Sequence, residues 1–265
     1  MGLDTARSLS VAVVVLAAGR GRRLSGLGVT APKWLLSVAG RPIADYQLEG
    51  VEAAAWPGDR LLVVTGYQAD AVDTWLARRG APVPAETVHN PRWRDLNNWH
   101  SLLVAVERLL DVDWHGAVML LNSDLCARPA WFAAFLTAAR GQPAGAAALA
   151  VDLERPLTDE AMKVSGVGEN GQTYCTRIGK RDVADSIGEY VGMAAFAPGD
   201  WRLLGPVLRA FLDRPEHAEE WYEAAFQRLI DSHRLFRAWP TPTTEWVEVD
   251  DPGDWQRANA MMATA

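Results

Sequence analysis

The chain has 265 residues, 49% of them hydrophobic, with a formal net charge of −7 and a pI near 5.3. That is enough apolar material for a large domain with a full core, and it excludes global disorder. The acidic balance argues against a nucleic-acid partner, which needs a basic face, but a small anionic substrate needs only a few local cations. Cys126 and Cys175 lie far apart with no CxxC, so they offer neither a zinc site nor a disulfide framework and read as small buried hydrophobes in a reducing compartment.

In chain order, residues 11 to 17 form a continuous apolar run, the pattern of a strand covered on both faces. The same run has the look of a signal-peptide core. It is too short to span a bilayer, and the basic RGRR after it is the wrong flank for export, so a buried first strand, a cytoplasmic protein and no membrane partner are expected. A helix is expected over 43 to 55, a strand over 60 to 66, a helix over 69 to 80 closed by Gly80, and a short strand over 86 to 90. Next come an amphipathic helix over 100 to 110, a buried strand over 116 to 125, and a helix over 129 to 140 with Pro129 in its first turn. Alternating strands and helices imply a mostly parallel sheet with helices on both faces, and such sheets bind ligands beyond the carboxyl ends of their strands. After residue 145 the pattern turns β-rich, with a hairpin at GENGQ (168 to 172). Helices are expected over 199 to 212 and 216 to 232, a strand at EWVEVDD (245 to 251) and a last helix over 252 to 263. No repeat or linker interrupts this, so one domain with a β-rich insertion is expected over 1 to 265.

The loop after the first strand carries Gly19, Gly21, Arg22, Arg23 and, ten residues on, Lys33. Glycines let a backbone approach an anion closely, and successive N–H groups can cradle phosphate oxygens. A dinucleotide fingerprint would start a helix inside the glycine motif, whereas here the next helix waits for Pro42. A dehydrogenase is therefore disfavoured. Lys33 neither follows a glycine nor precedes Ser or Thr, so the Walker motif is absent too. A loop of about twenty residues is uncommon unless functional.

The stretch LAAGRGRRL…APKWLLSVAGRPI resembles the signature of the nucleotidyltransferases that make sugar nucleotides and CDP-alcohols: L-A-A-G-x-G-x-R, then P-K, a hydrophobic pair and G-x-P-[LI]. The resemblance implies a Rossmann-like, mixed but mostly parallel sheet with a small acceptor-binding insertion, the nucleotide-diphospho-sugar transferase type. It divides the chain into a nucleotide-binding core (about 1–150), an acceptor-binding part (about 151–240) and a returning strand with a C-terminal helix (about 241–265). It also implies that Leu16, Ala17, Ala18, Gly19 and Gly21 wrap the triphosphate, that Arg23 holds the departing pyrophosphate, and that Lys33 neutralises the α-phosphate region or the acceptor. Arg22 falls between the motif positions and reads as solvated.

Nucleotidyl transfer calls for a divalent cation, Mg²⁺ by this resemblance, on hard oxygen ligands. Asp124, after MLLNS, and Asp250, in EWVEVD, each follow a strand and match the two aspartates of the family. Strand alternation puts Trp246, Glu248 and Asp250 on one face and Val247 and Val249 on the other. Asp251 is the adjacent rival for the metal and Glu248 a weaker one, and either Asp124 or Asp250 could instead cap a helix.

NPRWRDLNNWHSLLVA (90 to 105) and GEYVGMAAF resemble segments of the phosphocholine cytidylyltransferase branch, of the LicC type. That points to CTP, with Asn98 and Ser101 near the base, ribose or acceptor, unless Asn97 or Asn98 merely caps the following helix. Glu189, Tyr190, Trp221 and Tyr222, with Glu223, would suit a cationic acceptor through cation–π and carboxylate contacts. Lys163 and Lys180 would hold its phosphate or serve as solvated strand lysines. Phosphocholine, 2-aminoethylphosphonate and hydroxyethylphosphonate all fit. Sugar 1-phosphates paired with UTP, dTTP or GTP are the alternative, and a non-catalytic nucleotide-binding regulatory module is the second; with any of these, a homo-oligomer is a possible assembly.

Overall fold

The computed structural model describes residues 10–21, 23–24 and 30–263; Arg22 lies outside the described residues. β1 (Val11–Ala17) is buried along its whole length. It is followed by a short 3₁₀ turn at Lys33–Leu35, the small ribbon β2 (Ser37–Val38) and β3 (Arg41–Pro42), and α1 (Ile43–Ala53). β4 (Arg60–Thr65), α2 (Ala69–Arg79), β5 (Ala85–His89), α3 (Asn98–Asp111) and β6 (Ala117–Asn122) complete the alternation. β7 (Leu125–Ala127) and α4 (Pro129–Arg140) lead into β8 (Ala146–Asp152), β9 (Lys163–Glu169), β10 (Gln172–Gly179) and β11 (Ser186–Phe196). The chain closes with α5 (Leu204–Leu212), α6 (Glu223–Asp231), β12 (Leu235–Thr241), β13 (Trp246–Glu248) and α7 (Pro252–Ala263).

The main sheet runs β5-β4-β1-β6-β11-β8-β12-β10-β9. Its first four strands are mutually parallel. β11 then runs antiparallel between β6 and β8, and beyond it only β8 and β12 pair in parallel. The parallel character expected of the whole sheet thus belongs to its first half. Period-2 alternation along β1 feeds two separate cores. Val11, Val13 and Val15 join α1, α2, α4 and α7 on one face, while Ala12, Val14 and Leu16 join α3, α5 and α6 on the other. A strand covered on both sides has no solvated face, which is why β1 reads as unbroken apolar sequence.

Three boundaries differ from the sequence expectation. The strand expected over 116 to 125 ends at Asn122; Ser123 and Asp124 form a turn, and β7 leaves to pair with β13. β12 carries Arg237 and Pro240, which break its apolar run and hide it from a periodicity reading; β8 stabilises it as a parallel partner, while its pairing with β10 is confined to Tyr174 and Arg237. The stretch 216 to 232 is helical only from Glu223, with a 3₁₀ turn at Pro215–His217. Cys126 and Cys175 are buried free thiols, and burial pushes both up to about 12, as expected of small hydrophobes. Among the described residues no helix is long and apolar enough to cross a membrane.

Candidate active site

A cleft of about 800 Å³ opens at the carboxyl ends of β1 and β6 and extends to Arg155, just past β8, and to β11; the strand ends are where an open α/β sheet is expected to bind its ligand. One rim is the glycine loop. Gly21 has φ +64°, a conformation that L side chains rarely adopt, and the space its side chain would fill lies against the aliphatic stem of Lys33. That glycine lets the loop fold over the lysine.

Lys33 is nearly buried, and its ammonium donates to Asp124 Oδ2 at 2.7 Å and to Asp250 Oδ1. Arg23, more than half exposed, reaches the other oxygen, Asp250 Oδ2, at 2.5 Å. Burial alone would lower the Lys33 pKa, but the carboxylates of Asp124, Asp250 and Glu248 outweigh it and hold the ammonium charged. Burial likewise works against the Asp250 carboxylate, yet Lys33 and Arg23 keep it below its usual range. Asp124, Glu248 and Asp250 each offer a carboxylate oxygen within 4.8 Å of the others. Burial, and then the Asp124 and Asp250 charges, push Glu248 up to about 8. Asp124 Oδ1 is buried with no hydrogen-bond partner among the described residues.

Long-range contacts fix this geometry. Buried Gln47 on α1 takes a hydrogen bond from Trp34 Nε1 at 2.8 Å. Its own amide donates to the carbonyls of Asn122 (3.0 Å) and Leu125 (2.8 Å), the two residues that flank the turn bearing Asp124. The Val249 amide donates to the Asp124 carbonyl at 3.0 Å, so the two carboxylate strands are stitched together. Glu248 and Asp250 line the cleft as strand alternation predicts, and Val247 and Val249 enter the core; Trp246 borders the cleft too but is fully buried and belongs to the same core as the two valines. The neighbouring aspartates Asp250 and Asp251 have different partners. Asp251 Oδ1 accepts the Asp254 amide at 2.9 Å and Asp254 Oδ2 accepts the Asp251 amide at 3.0 Å, a reciprocal capping box that opens α7. Asp250 is the one left facing Lys33.

Leu16, Ala18, Gly19 and Gly21 line the cleft; Ala17 points into the core instead, as its place in the β1 alternation requires. Asn97 Oδ1 caps α3 by accepting the Asn98 amide at 2.8 Å. Asn98 Oδ1 accepts the Tyr222 amide at 3.0 Å, and Ser101 Oγ accepts from Asn90 Nδ2 at 2.9 Å. Both still border the cleft, but their hydrogen bonds also hold the NPRWRDLNNWHS segment and the start of α6 in place.

The residues expected on the acceptor side divide. Lys180, Glu189, Tyr190 and Trp221 line the cleft, whereas Lys163 and Tyr222 do not. Lys163 Nζ donates to the Lys180 carbonyl at 3.1 Å, which ties β9 to the end of β10. Tyr222 is fully buried; its hydroxyl donates to Asn122 Oδ1 at 2.9 Å and meets the Tyr190 hydroxyl at 3.1 Å. These tyrosines brace the wall rather than offer open ring faces. Gly192, in the β11 bulge at φ +83°, lets β11 approach that same Asn122, whose amide would lie 2.6 Å from a Cβ. Sequence reasoning missed Arg155, which lines the cleft with its guanidinium 4.3 Å above the Trp246 ring. The signal available was its place just past the end of β8.

The model of the MobA-like NTP transferase domain matches residues 13–227. The CMP-5'-(3-aminopropyl)phosphonate synthase of Streptomyces rubellomurinus is 28% identical over 261 residues, 96% of this chain and 39% of that protein. The choline-phosphate cytidylyltransferase of Streptococcus pneumoniae is 29% identical over 96 residues, 36% of this chain and 39% of that protein. The chain thus spans about two fifths of the length of the curated relatives it matches. Among solved structures, the CTP:phosphocholine cytidylyltransferase LicC of Streptococcus pneumoniae superposes with a TM-score of 0.69 at 17% identity, over 96% of this chain and 99% of that one. The fold is that of the nucleotide-diphospho-sugar transferases, and the chain belongs to the MobA-like NTP transferase domain family.

Proposed function

We propose that this chain transfers CMP from CTP to a small phosphate or phosphonate acceptor and releases pyrophosphate. The observation that carries the reading is the meeting of Lys33, Asp124, Glu248 and Asp250 beneath the Gly19–Gly21 loop. The names of the relatives from both Streptomyces rubellomurinus and Streptococcus pneumoniae support cytidylyl transfer.

An acceptor oxygen attacks the α-phosphorus; the new P–O bond forms as the bond to the bridging β-oxygen breaks, and pyrophosphate departs with that electron pair. The second pKa of a phosphate ester is near 6, so the nucleophile is already largely dianionic at neutral pH and no general base has to take a proton. Catalysis is then positioning and charge stabilisation. In this reading the backbone of Gly19 and Gly21 cradles the β- and γ-phosphates, Arg23 meets the leaving pyrophosphate, and Lys33 meets the α-phosphate.

A divalent cation fits the carboxylate cluster: all the donors are hard oxygens, and the buried Asp124 Oδ1 lacks a partner among the described residues. Asp124 and Asp250 would hold it, with Glu248 as a third donor, and magnesium is the ion we assign. When bound, it supplies neutralisation of phosphate oxygens.

The test is pyrophosphate release with each of CTP, UTP, dTTP and GTP against phosphocholine, 2-aminoethylphosphonate, hydroxyethylphosphonate and glucose 1-phosphate. Turnover with CTP and one of the first three acceptors is expected. Turnover only with UTP, dTTP or GTP and glucose 1-phosphate would replace this reading with sugar-nucleotide synthesis, and CTP binding without any turnover would make the chain a regulatory module.

A further inference from the structure

Asp152, the last residue of β8, is fully buried, and no ion pair holds it among the described residues. Four neutral groups donate to it instead: Oδ1 accepts the amides of Glu154 (2.9 Å) and Arg155 (3.0 Å) and the Thr243 hydroxyl (2.9 Å), and Oδ2 accepts Trp246 Nε1 at 3.0 Å. A carboxylate is costly to bury, and this one fastens two parts of the cleft wall. Its bonds to Glu154 and Arg155 set the turn after β8; those to Thr243 and Trp246 fix the entry to β13. The Arg155 guanidinium stacks 4.3 Å from the centroid of the Trp246 ring. One buried group thus orients both the arginine and the ring beneath it.

The other cations that line the cleft are committed to carboxylates: Lys33 to Asp124 and Asp250, Arg23 to Asp250, Arg257 to Asp254, and Lys180 to Glu160 at 3.4 Å. Arg155 makes no ion pair among the described residues. Its charge reaches half-buried Glu189 on β11 and opposes the upward push of burial there, without a salt bridge. Trp246 lies on the strand that carries Glu248 and leads to Asp250, so the stacked guanidinium rests beside the carboxylate cluster. Joining two anions brings an acceptor oxygen to about 3–3.5 Å from the α-phosphorus. A dianion brought that close to a triphosphate needs a cation on its own side, and a guanidinium fork matches two phosphoryl oxygens.

Resting on the cytidylyl-transfer reading, we infer that Arg155 is the cation that holds the phosphoryl group of the acceptor, and that Asp152 is the positioning residue that aims it, through Trp246 and the turn after β8. Stacking occupies a face of the guanidinium and leaves its N–H edge for two phosphoryl oxygens; the third oxygen is the one that attacks. Phosphates and phosphonates share this end of the molecule, so Arg155 serves every acceptor alike and takes no part in telling their other ends apart.

The test follows pyrophosphate release by the full chain with CTP and Mg²⁺, against phosphocholine, 2-aminoethylphosphonate and 2-hydroxyethylphosphonate. Arg155→Ala is expected to raise the acceptor KM by about 10- to 100-fold, the scale of charge-assisted hydrogen bonds. The factor should be the same for each acceptor that the unaltered chain uses, while the KM for CTP moves by less than about threefold. Arg155→Lys keeps the charge, loses the fork and should recover only part of the loss. Asp152→Asn should raise the acceptor KM by about 3- to 10-fold. Added to Arg155→Ala it should raise that KM no further, which a general loss of packing would do. An unchanged acceptor KM in Arg155→Ala, or an equal rise in the KM for CTP, overturns the inference and leaves cytidylyl transfer standing. A full further rise in the double variant overturns the role of Asp152. No turnover by the unaltered chain with any of these acceptors overturns the reading and the inference with it. A crystal structure of the unaltered chain with CTP, Ca²⁺ in place of Mg²⁺ and 2-aminoethylphosphonate decides the matter without any variant having to fold. It is expected to show phosphonate oxygens within hydrogen-bond distance of the Arg155 guanidinium, and a phosphonate held elsewhere overturns the inference.

Discussion

At the end of the cleft proposed for the nucleotide, Gly19, Gly21, Arg23 and Lys33 come from one loop after β1; at the end proposed for the acceptor, Arg155, Lys180, Glu189 and Glu223 come from four separate parts of the chain. The first group lies close together in the chain, and long-range partners complete it. A glycine at φ +64° folds the loop onto the Lys33 stem, and two strand-end aspartates meet the ammonium. The second group is assembled by the mixed half of the sheet, where β11 runs antiparallel to both neighbours and carries a bulge at Gly192. On the proposed function, the contrast is between a compact charge cluster that would serve every turnover and a dispersed wall that could vary without disturbing it.

Three substitutions break or sharpen that contrast. The largest effect is expected from Lys33→Ala, which removes the cation that, among the described residues, Asp124 and Asp250 share. Loss of such a stabiliser should cost on the order of 10²-fold or more in kcat, and the loss should be the same for every acceptor when pyrophosphate release is followed. A loss confined to one acceptor would assign Lys33 to the acceptor end instead. Substitutions at the acceptor wall, such as Glu223→Gln, should redistribute preference among acceptors. The smallest effect is expected from Asp251→Ala. Removing a helix cap costs about 1 kcal/mol, a fall in Tm of roughly 2–4 °C for a chain of this size, measurable by calorimetry. A kcat loss as large as that of Lys33→Ala would mean that Asp251 belongs to the charge cluster and not to the α7 cap.

The same contrast explains what the sequence revealed. Lys33, Arg23, Asp124 and Asp250 were legible because strand ends and a glycine loop announce themselves within a few residues. β1, β4 and β6 were legible because burial on both faces leaves an unbroken apolar run. β12 was not, because Arg237 and Pro240 interrupt it and only its long-range pairing with β8 makes it a strand. Gln47 gave no signal either: an amide in the middle of an apolar helix becomes intelligible only when Asn122 and Leu125, from another part of the chain, present their carbonyls to it. Tyr190 and Tyr222 looked like ring faces for a cation, and their hydroxyls turned out to tie β11 and α6 to Asn122. Composition says which side chains could touch a ligand; only packing decides which of them are already occupied.

The central claim is that a nucleotide triphosphate and a divalent cation gather between the glycine loop and the two strand-end aspartates. Its most direct test is a crystal structure of the full chain with CTP and Mn²⁺ in place of magnesium, read by anomalous scattering. The account predicts a manganese peak within bonding distance of carboxylate oxygens of Asp124 and Asp250, with the triphosphate against Gly19, Gly21 and Arg23. A peak coordinated by other residues, or a triphosphate lying away from the glycine loop, would contradict it.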